Sequence, residues 1–123
     1  TMSYRERMRT IEFCVDHVDG RLPVIAGTGS NSTENALALS RDADIVIAAA
    51  GRPGLITADC LRPGQTVLDV GVHPGPDGTL CGDVAPEAAG LDLALTPVPG
   101  GVGSVTSAVL CKHTIQAAEN TRL

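Results

Sequence analysis

Aromatic side chains and lysine are scarce in this sequence, which holds one Phe, one Tyr, no Trp and a single lysine, Lys112. Acidic residues outnumber basic ones, and the formal net charge is −5. Nucleic-acid binders usually show a basic face and often stacking aromatics, so we expect no nucleic-acid partner. No apolar run approaches the roughly 20 residues that cross a bilayer, and no signal peptide is recognisable. We therefore expect a cytoplasmic protein without a membrane partner.

Paired metal ligands are also missing. The four cysteines form no C-x-x-C pair, and the three histidines lie apart from one another along the chain. Zinc sites usually show tight ligand pairs, so we expect no metal site. Reduced thiols in a cytosolic protein are the simpler interpretation of these cysteines.

What the sequence does contain is a regular alternation of apolar strands and amphipathic helices. Its 123 residues predict one domain, 1–123, in which 1–41 and 42–123 are distinguishable parts. Such alternation is typical of parallel strands joined by helical crossovers. We predict an α/β fold with three layers, a Rossmann-like or flavodoxin-like open parallel sheet of four to five strands with helices on both faces. An exposed sheet edge should either pair in a homodimer or lie under the N-terminal helix.

The individual elements follow from periodicity and from Gly and Pro punctuation. Strands are predicted at 22–26, 44–50, 66–70 and 92–95, with a hairpin tip at 73–78. Long helices are predicted at 5–18, from Asn31 to about 40, and at 104–119, and short ones after Thr57 and at Pro86. The inward faces of the first and last helices are predicted to consist of Met8, Ile11, Cys14, Val15 and Val18, and of Val105, Ala108, Val109, Ile115 and Ala118.

One loop has the position of an anion site, because it follows a predicted strand and opens a helix. The free N–H groups of a helix N-terminus and its dipole favour phosphate. The loop matches G-x-G-x-x-G only in part, and the acid that would bind a ribose is replaced by Ala48–Ala50. It is either a weak site for phosphate, sulfate or a nucleotide, or a plain capped helix with Asn31 as N-cap and Glu34 completing a capping box. The loop consists of Gly27, Thr28, Gly29, Ser30, Asn31 and Ser32.

Four further strings fall in the second part of the chain: A-D-I-V-I-A-A-A-G-R-P-G at 43–54, V-L-D-V-G-V at 67–72, G-D-V at 82–84 and T-P-V-P-G-G-V-G at 96–103. Together they resemble the NADP-binding domain of bifunctional methylenetetrahydrofolate dehydrogenase/cyclohydrolase, over residues 43–119. Two residues depart from that family's pattern. His73 stands where Asn is usual, and Ser104 stands where Pro is common.

The resemblance implies roles for particular residues. Val72 and Thr96 would contact NADP, and Asp69 would support the geometry of its loop. The family's folate-contacting stretch carries over to Pro99, Gly100, Gly101, Val102 and Gly103. The family's catalytic Lys and Tyr belong to a separate N-terminal domain that has no counterpart in this sequence.

The first part of the chain resembles a different family. Residues 5–40, and above all the string R-L-P-V-I-A-G-T-G-S-N-S-T at 21–33, are similar to dihydrodipicolinate synthase, a TIM-barrel aldolase family. That family implies a Schiff-base lysine, yet Lys112 lies in the other part, and Tyr4 is the only tyrosine. Two resemblances joined near residues 39–43 suggest an engineered chimera.

The functional expectation follows from that interpretation. We expect a designed α/β domain with no native catalytic activity, and therefore not an enzyme, because the catalytic Lys and Tyr of both families are absent. No cofactor is expected beyond weak NADP, phosphate or sulfate binding. The alternative is a vestigial NADP- or phosphate-binding module derived from methylenetetrahydrofolate dehydrogenase/cyclohydrolase.

Overall fold

The computed structural model describes residues 2–29, 32–75 and 77–121. The chain forms two compact units, Thr1–Leu39 and Ser40–Leu123. Each unit has its own internal contacts. The predicted division of a single domain into 1–41 and 42–123 stays a prediction.

The first unit opens with helix α1, Tyr4–Val18. Ser3 is its N-cap, and the Glu6 carboxylate accepts from the Ser3 backbone N–H at 2.8 Å, which forms a capping box. The helix ends at Asp19, whose φ of 49° is left-handed. The predicted helix at 5–18 is therefore confirmed. Its predicted inward face is wrong for this unit, because no residue of α1 is buried.

The strand predicted at 22–26 is not present. Residues 23–29 have no regular secondary structure, and Leu22 and Ile25 are 70% and 83% exposed. A buried strand needs neighbours for its N–H and C=O groups. Within the described ranges no strand pairs with this segment, so its apolar residues alone do not make it a strand.

Helix α2 comprises Thr33–Asp42. It begins one residue later than an N-cap at residue 31 would predict. The Ser32 hydroxyl accepts from the Asn35 N–H at 3.4 Å, so Ser32 occupies the capping position. The predicted cap, Asn31, lies outside the described residues. At the other end, the buried Gln65 side chain donates to the carbonyls of Ser40 and Ala43, at 2.8 and 2.6 Å. This satisfies carbonyl groups that the end of a helix leaves unpaired.

The second unit contains the sheet. Strands β1 (Ile45–Ala48), β2 (Thr66–Asp69) and β5 (Ala94–Leu95) are parallel in the order β1–β2–β5. Strands β3 (His73–Pro74) and β4 (Leu80–Cys81) form an antiparallel hairpin. This agrees with the hairpin tip predicted for residues 73–78. Short 3₁₀ helices occupy Ala58–Cys60 and Pro86–Gly90. The α/β, Rossmann-like fold class is confirmed, but the described residues give three parallel strands rather than four or five.

One face of this small sheet forms the core. Alternate residues of β1 and β2 are buried, namely Val46, Ala48, Val67 and Asp69. The other residues of β1, Ile45 and Ile47, are 61% and 54% exposed. Strand β1 is one of the two outer strands of the sheet. The homodimer through an exposed sheet edge stays a prediction, which sedimentation velocity at several protein concentrations would test.

Helix α3, Val102–Asn120, closes the second unit and confirms the predicted last helix to within two residues. The prediction for its inward face is wrong, because none of its residues is buried. Val105, Val109 and Ile115 are 63%, 44% and 54% exposed. Periodicity identifies an apolar face, but it does not supply the surface that covers it.

Candidate functional site

Two buried aspartates organise the loops at the carboxyl end of the sheet. Asp69 is the last residue of β2 and is 4% exposed. Its Oδ1 accepts from the N–H groups of Gly71 and Asp83, both at 3.0 Å, and its Oδ2 accepts from the Val84 N–H at 3.0 Å. A single carboxylate therefore fixes the turn after β2 against segment 82–84. This is the structural role in loop geometry that the family resemblance implies for Asp69.

Asp83 carries the connection to the loop after β1. It is fully buried, and its Oδ2 accepts from the N–H groups of Ala50 and Gly51 at 2.5 and 3.0 Å. Its Oδ1 accepts from the Arg52 N–H at 3.0 Å and lies 2.7 Å from Nε2 of His73. A carboxylate with four donors is the arrangement that makes a buried charge tolerable.

The environment of Asp83 favours its charged form. Burial by itself raises the pKa of the carboxyl group. The hydrogen bond with His73 and those from the backbone of Gly51, Ala50 and Arg52 outweigh burial and hold the pKa of Asp83 below its ordinary value. The side chain is therefore an anion at neutral pH.

Sequence reasoning missed the role of Asp83, which it recorded only as the centre of G-D-V. The signal was an acidic residue in the otherwise apolar run C-G-D-V-A at 81–85. Charged residues are almost never fully buried unless they are paired. The local sequence does not name the partners, because they lie 10 to 33 residues away.

Glycines make this arrangement possible. A β-carbon at Gly71 would lie 2.5 Å from the Asp83 backbone nitrogen, and one at Gly82 would collide with the Asp69 carboxylate. At Gly101 a β-carbon would collide with the carbonyl oxygen of Pro97, and Gly100 has a left-handed φ of 97°. These glycines are therefore required by close approach or by backbone conformation.

A cleft of about 240 Å³ opens beside this network, within the second unit. The predicted folate stretch forms one side of it, and Val72 lies on its wall. Val72 is 57% exposed, and the Val98–Pro99 peptide bond is cis. The lining comprises Asp69, Val70, Val72, Leu80 and residues 97–104. The structure thus brings Val72 and the predicted stretch 99–103 to one cleft.

Thr96 is hydrogen-bonded to Asp69, a residue of the cleft lining. It follows β5, and its N–H donates to the Val67 carbonyl at 3.0 Å. Its Oγ1 accepts from the Asp69 N–H at 2.8 Å, so the hydroxyl is already part of the network. A hydroxyl that accepts one bond can still donate its own proton.

The predicted anion loop belongs to the first unit. Gly27 and Gly29 have open space where a β-carbon would stand, and neither has a left-handed φ. The carbonyl oxygen of Gly29 accepts from the Arg7 guanidinium at 2.8 Å. Ser30 and Asn31 lie outside the described residues. Anion binding by Gly27, Thr28, Gly29 and Ser32 stays a prediction.

Other candidate groups do not gather into a site. The four cysteines are free thiols, and Lys112 is exposed on α3. Across residues 2–29, 32–75 and 77–121, no three His, Cys, Asp or Glu side chains lie together as metal ligands.

Membrane spanning requires a helix that is both long and apolar. No helix in the described part of the chain is both long and apolar enough to span a bilayer.

Known proteins resemble this chain over most of its length. Residues 24–122 match the model of the tetrahydrofolate dehydrogenase/cyclohydrolase NAD(P)-binding domain. The chain is 49% identical to bifunctional protein FolD of Bordetella avium over 96 residues, which is 75% of this chain and 33% of that protein. It is 50% identical to the FolD protein of Synechococcus sp. strain CC9902 over 86 residues, covering 69% and 29% of the two chains.

Solved structures give the same result. The Trypanosoma brucei methylenetetrahydrofolate dehydrogenase-cyclohydrolase, complexed with NADP cofactor and inhibitor, matches with a TM-score of 0.65 and 34% identity, over 81% of this chain and 36% of that one. The enzyme from Thermoplasma acidophilum matches with a TM-score of 0.65 and 35% identity, over 73% and 32%. This chain thus spans about a third of the length of the relatives it matches.

These findings overturn the chimera interpretation. The family match runs from residue 24 to 122, across the supposed junction at 39–43, and nothing supports a dihydrodipicolinate synthase fragment. The expectation of an engineered domain without native activity is wrong, and so is the expectation that the chain is not an enzyme, because its relatives are named as enzymes. The error came from a short Gly/Ser loop before a helix, a local pattern that different folds share.

The strings at 43–54, 67–72, 82–84 and 96–103 thus carry the correct resemblance. The chain belongs to the tetrahydrofolate dehydrogenase/cyclohydrolase family, whose NAD(P)-binding domain it matches over residues 24–122.

Proposed function

We propose that this chain binds NADP as the nucleotide-binding part of a methylenetetrahydrofolate dehydrogenase/cyclohydrolase. The observation that carries the proposal is the cleft at the carboxyl ends of β2 and β5, where Val72 and residues 99–103 meet beside Thr96. Ligands of open parallel sheets bind outside the carboxyl ends of the strands. The family match and the NADP complex of the Trypanosoma relative support the same cofactor.

The cleft fits part of a dinucleotide. Its volume of about 240 Å³ lies below the range of about 300–1,000 Å³ for whole ligand pockets. Most of its lining is apolar or glycine backbone, which suits a flat ring and allows close approach. We assign one end of the cofactor to this cleft, with Val72 against the ring system and the Thr96 hydroxyl as a hydrogen-bond donor.

When bound, NADP would supply hydride chemistry to a dehydrogenase. This chain's residues would position the cofactor, and the stretch Pro99–Gly103 would present backbone to the neighbouring folate. Because this chain spans about a third of the length of its relatives, oxidation and cyclohydrolysis of the folate would also require residues outside it. We also propose that this chain has no nucleic-acid partner and no membrane partner. We propose a cytoplasmic location for it.

Calorimetric titration with NADP, supported by thermal unfolding and amide NMR, tests the proposal. A ligand that binds only the folded state raises the melting temperature by mass action, even at millimolar affinity. The amide signals of Val72 and Thr96 should shift, and NAD and inorganic phosphate serve as comparison ligands.

Two matched variants locate the site. Val72→Asp places a negative charge on the cleft wall and should weaken NADP binding at least about tenfold. Leu110→Asp makes the same kind of change on the exposed surface of α3, away from the cleft lining, and should leave binding unchanged. Absence of binding at millimolar NADP, or equal loss in both variants, would contradict the proposal.

A further inference from the structure

The lining of the cleft contains one hydroxyl side chain, that of Ser104. We propose that Ser104 is a specificity-determining residue, whose hydroxyl donates a hydrogen bond to the amide carbonyl of the ring bound in the cleft, the nicotinamide of NADP. The inference rests on the proposed NADP function and deepens it, because it names the ligand group that the cleft recognises. Ser104 stands where the family commonly has Pro, which carries no hydroxyl, so this recognition is a property of the present chain.

The other side chains of the lining leave little for a polar ligand group to bind. All lining residues except Asp69 and Ser104 are Val, Leu, Pro or Gly. The Asp69 carboxylate is buried and already accepts from three backbone N–H groups of the protein. Pockets that are mostly apolar use a few placed polar groups to fix the orientation of a ligand. Among the side chains of this cleft, that task falls to Ser104.

The Ser104 hydroxyl differs from the other hydroxyls of α3 because it has no hydrogen-bond partner in the described part of the chain. Thr106, Ser107 and Thr114 each donate to the carbonyl oxygen four residues earlier, at 2.9, 3.2 and 2.9 Å. Ser104 is the third residue of α3, so the residue four positions before it, Gly100, precedes the helix and has a left-handed φ of 97°. The helix therefore offers this hydroxyl no carbonyl of its own, and the hydroxyl stays available to a ligand.

The backbone that carries Ser104 is fixed by the tight turn before α3. The Ser104 N–H donates to the Gly101 carbonyl at 3.2 Å. Gly101 lies so close to Pro97 that a β-carbon there would collide with the Pro97 carbonyl oxygen. Groups held on a helix are placed more precisely than groups on a loop. The short Ser104 side chain therefore presents its hydroxyl from a defined position in the cleft lining.

The composition of the lining selects the kind of ligand group. The lining contains no Arg, Lys or His, so a phosphate group would lack the cation that usually pairs with it. A neutral carboxamide needs only a donor for its carbonyl oxygen, and its ring can lie against apolar surface such as Val72. The nicotinamide end of NADP carries such a group on a flat ring. The pterin ring of folate has an amide carbonyl as well, and the experiment below separates the two ligands.

Calorimetric titration of the full chain compares NADP with its thionicotinamide analogue, in which sulfur replaces the amide oxygen. Both dissociation constants are measured in the parent chain and in Ser104→Ala. We expect Ser104→Ala to weaken NADP binding about three- to tenfold, the net effect of one neutral hydrogen bond. Sulfur is a weak acceptor, so the same substitution should change the affinity for the analogue by less than about twofold.

Two further variants separate recognition of the ligand from damage to the helix. Ser104→Thr keeps a hydroxyl at this position and should bind NADP within about twofold of the parent chain. Ser107→Ala is the matched control, because it removes a hydroxyl of the same helix that donates to the Gly103 carbonyl and lies outside the cleft lining. It should leave both affinities unchanged. Thermal unfolding checks that every variant is folded.

The outcomes distinguish this inference from the proposed function. A loss in Ser104→Ala for NADP that is absent for the thionicotinamide analogue supports the inference. No binding of NADP to the parent chain overturns both proposals. NADP binding that is unchanged in Ser104→Ala, or an equal loss for NADP and the analogue, keeps the function and overturns the role of Ser104. Folate is titrated in the same variants, and a loss for folate without a loss for NADP also overturns that role.

Discussion

Two regions of this chain contain glycine-bearing loops, and they are built differently. The loops at 50–54 and 71–84 are tied by two buried carboxylates, and Gly71 and Gly82 leave no room for a β-carbon. In the Gly27–Ser32 loop, the described glycines have open space and ordinary dihedral angles. Glycine in a motif can be demanded by the fold, or it can merely be tolerated there, and only neighbouring atoms distinguish the two cases.

The largest expected effect lies in Asp83. Asp83→Ala removes the acceptor of three backbone N–H groups in a site closed to water, and should lower the free energy of unfolding by about 3–5 kcal/mol. Urea unfolding measures this. Asp83→Asn should cost less, because one oxygen still accepts. Asp92→Ala, on an exposed residue, is the control and should change stability by less than about 0.5 kcal/mol.

We expect alanine substitutions of the glycines to change stability differently in the two regions. Gly71→Ala and Gly82→Ala force atoms of the Asp69–Asp83 network apart and should each cost about 1–3 kcal/mol. Gly27→Ala and Gly29→Ala meet no neighbouring atom and should stay within about 0.5 kcal/mol of the parent chain. Thermal unfolding of the four variants is the measurement. Equal costs in both pairs would remove the distinction between the two regions.

Acid should weaken the carboxylate region in a specific direction. The folded state holds the pKa of Asp83 below its unfolded value of about 3.9. Its contribution to stability is therefore complete above that value and is lost as the pH falls through the lower, folded pKa. Glu6 and Asp77 have lowered pKa values too, through hydrogen bonds with Ser3 and Thr79 respectively. The difference between the parent chain and Asp83→Asn, measured by urea unfolding between pH 7 and pH 3, isolates Asp83 and should shrink as the pH falls.

The smallest effect is expected for phosphate at the Gly27–Ser32 loop. If the N-terminus of α2 binds an anion, phosphate at millimolar concentration should shift the amide signals of Gly27–Gly29 and Ser32. Chloride at matched ionic strength is the control. Unchanged signals would leave this loop as a simple helix entry, capped by Ser32.

The prediction of elements succeeded where the signal is local. Helices α1 and α3, the hairpin at 73–81 and the strands at 45–48 and 66–69 follow from periodicity and from turn residues. The strand at 22–26 failed, because a strand is defined by pairing, and an apolar run of five residues carries no information about a partner. The longer strings at 43–54, 67–72, 82–84 and 96–103 identified the family correctly. The short loop at 27–32 led to a wrong second resemblance for the first part of the chain.

The sequence by itself determined the family and the α/β class, because long strings of Gly and Pro constrain the backbone in ways that few folds share. The ligand contacts of Val72 and residues 99–103 stay predictions. Tertiary structure alone decided the role of Asp83 and of His73. Their contacts join positions 10 to 33 residues apart, and whether a carboxylate is solvated or buried depends on which backbone N–H groups the fold brings to it.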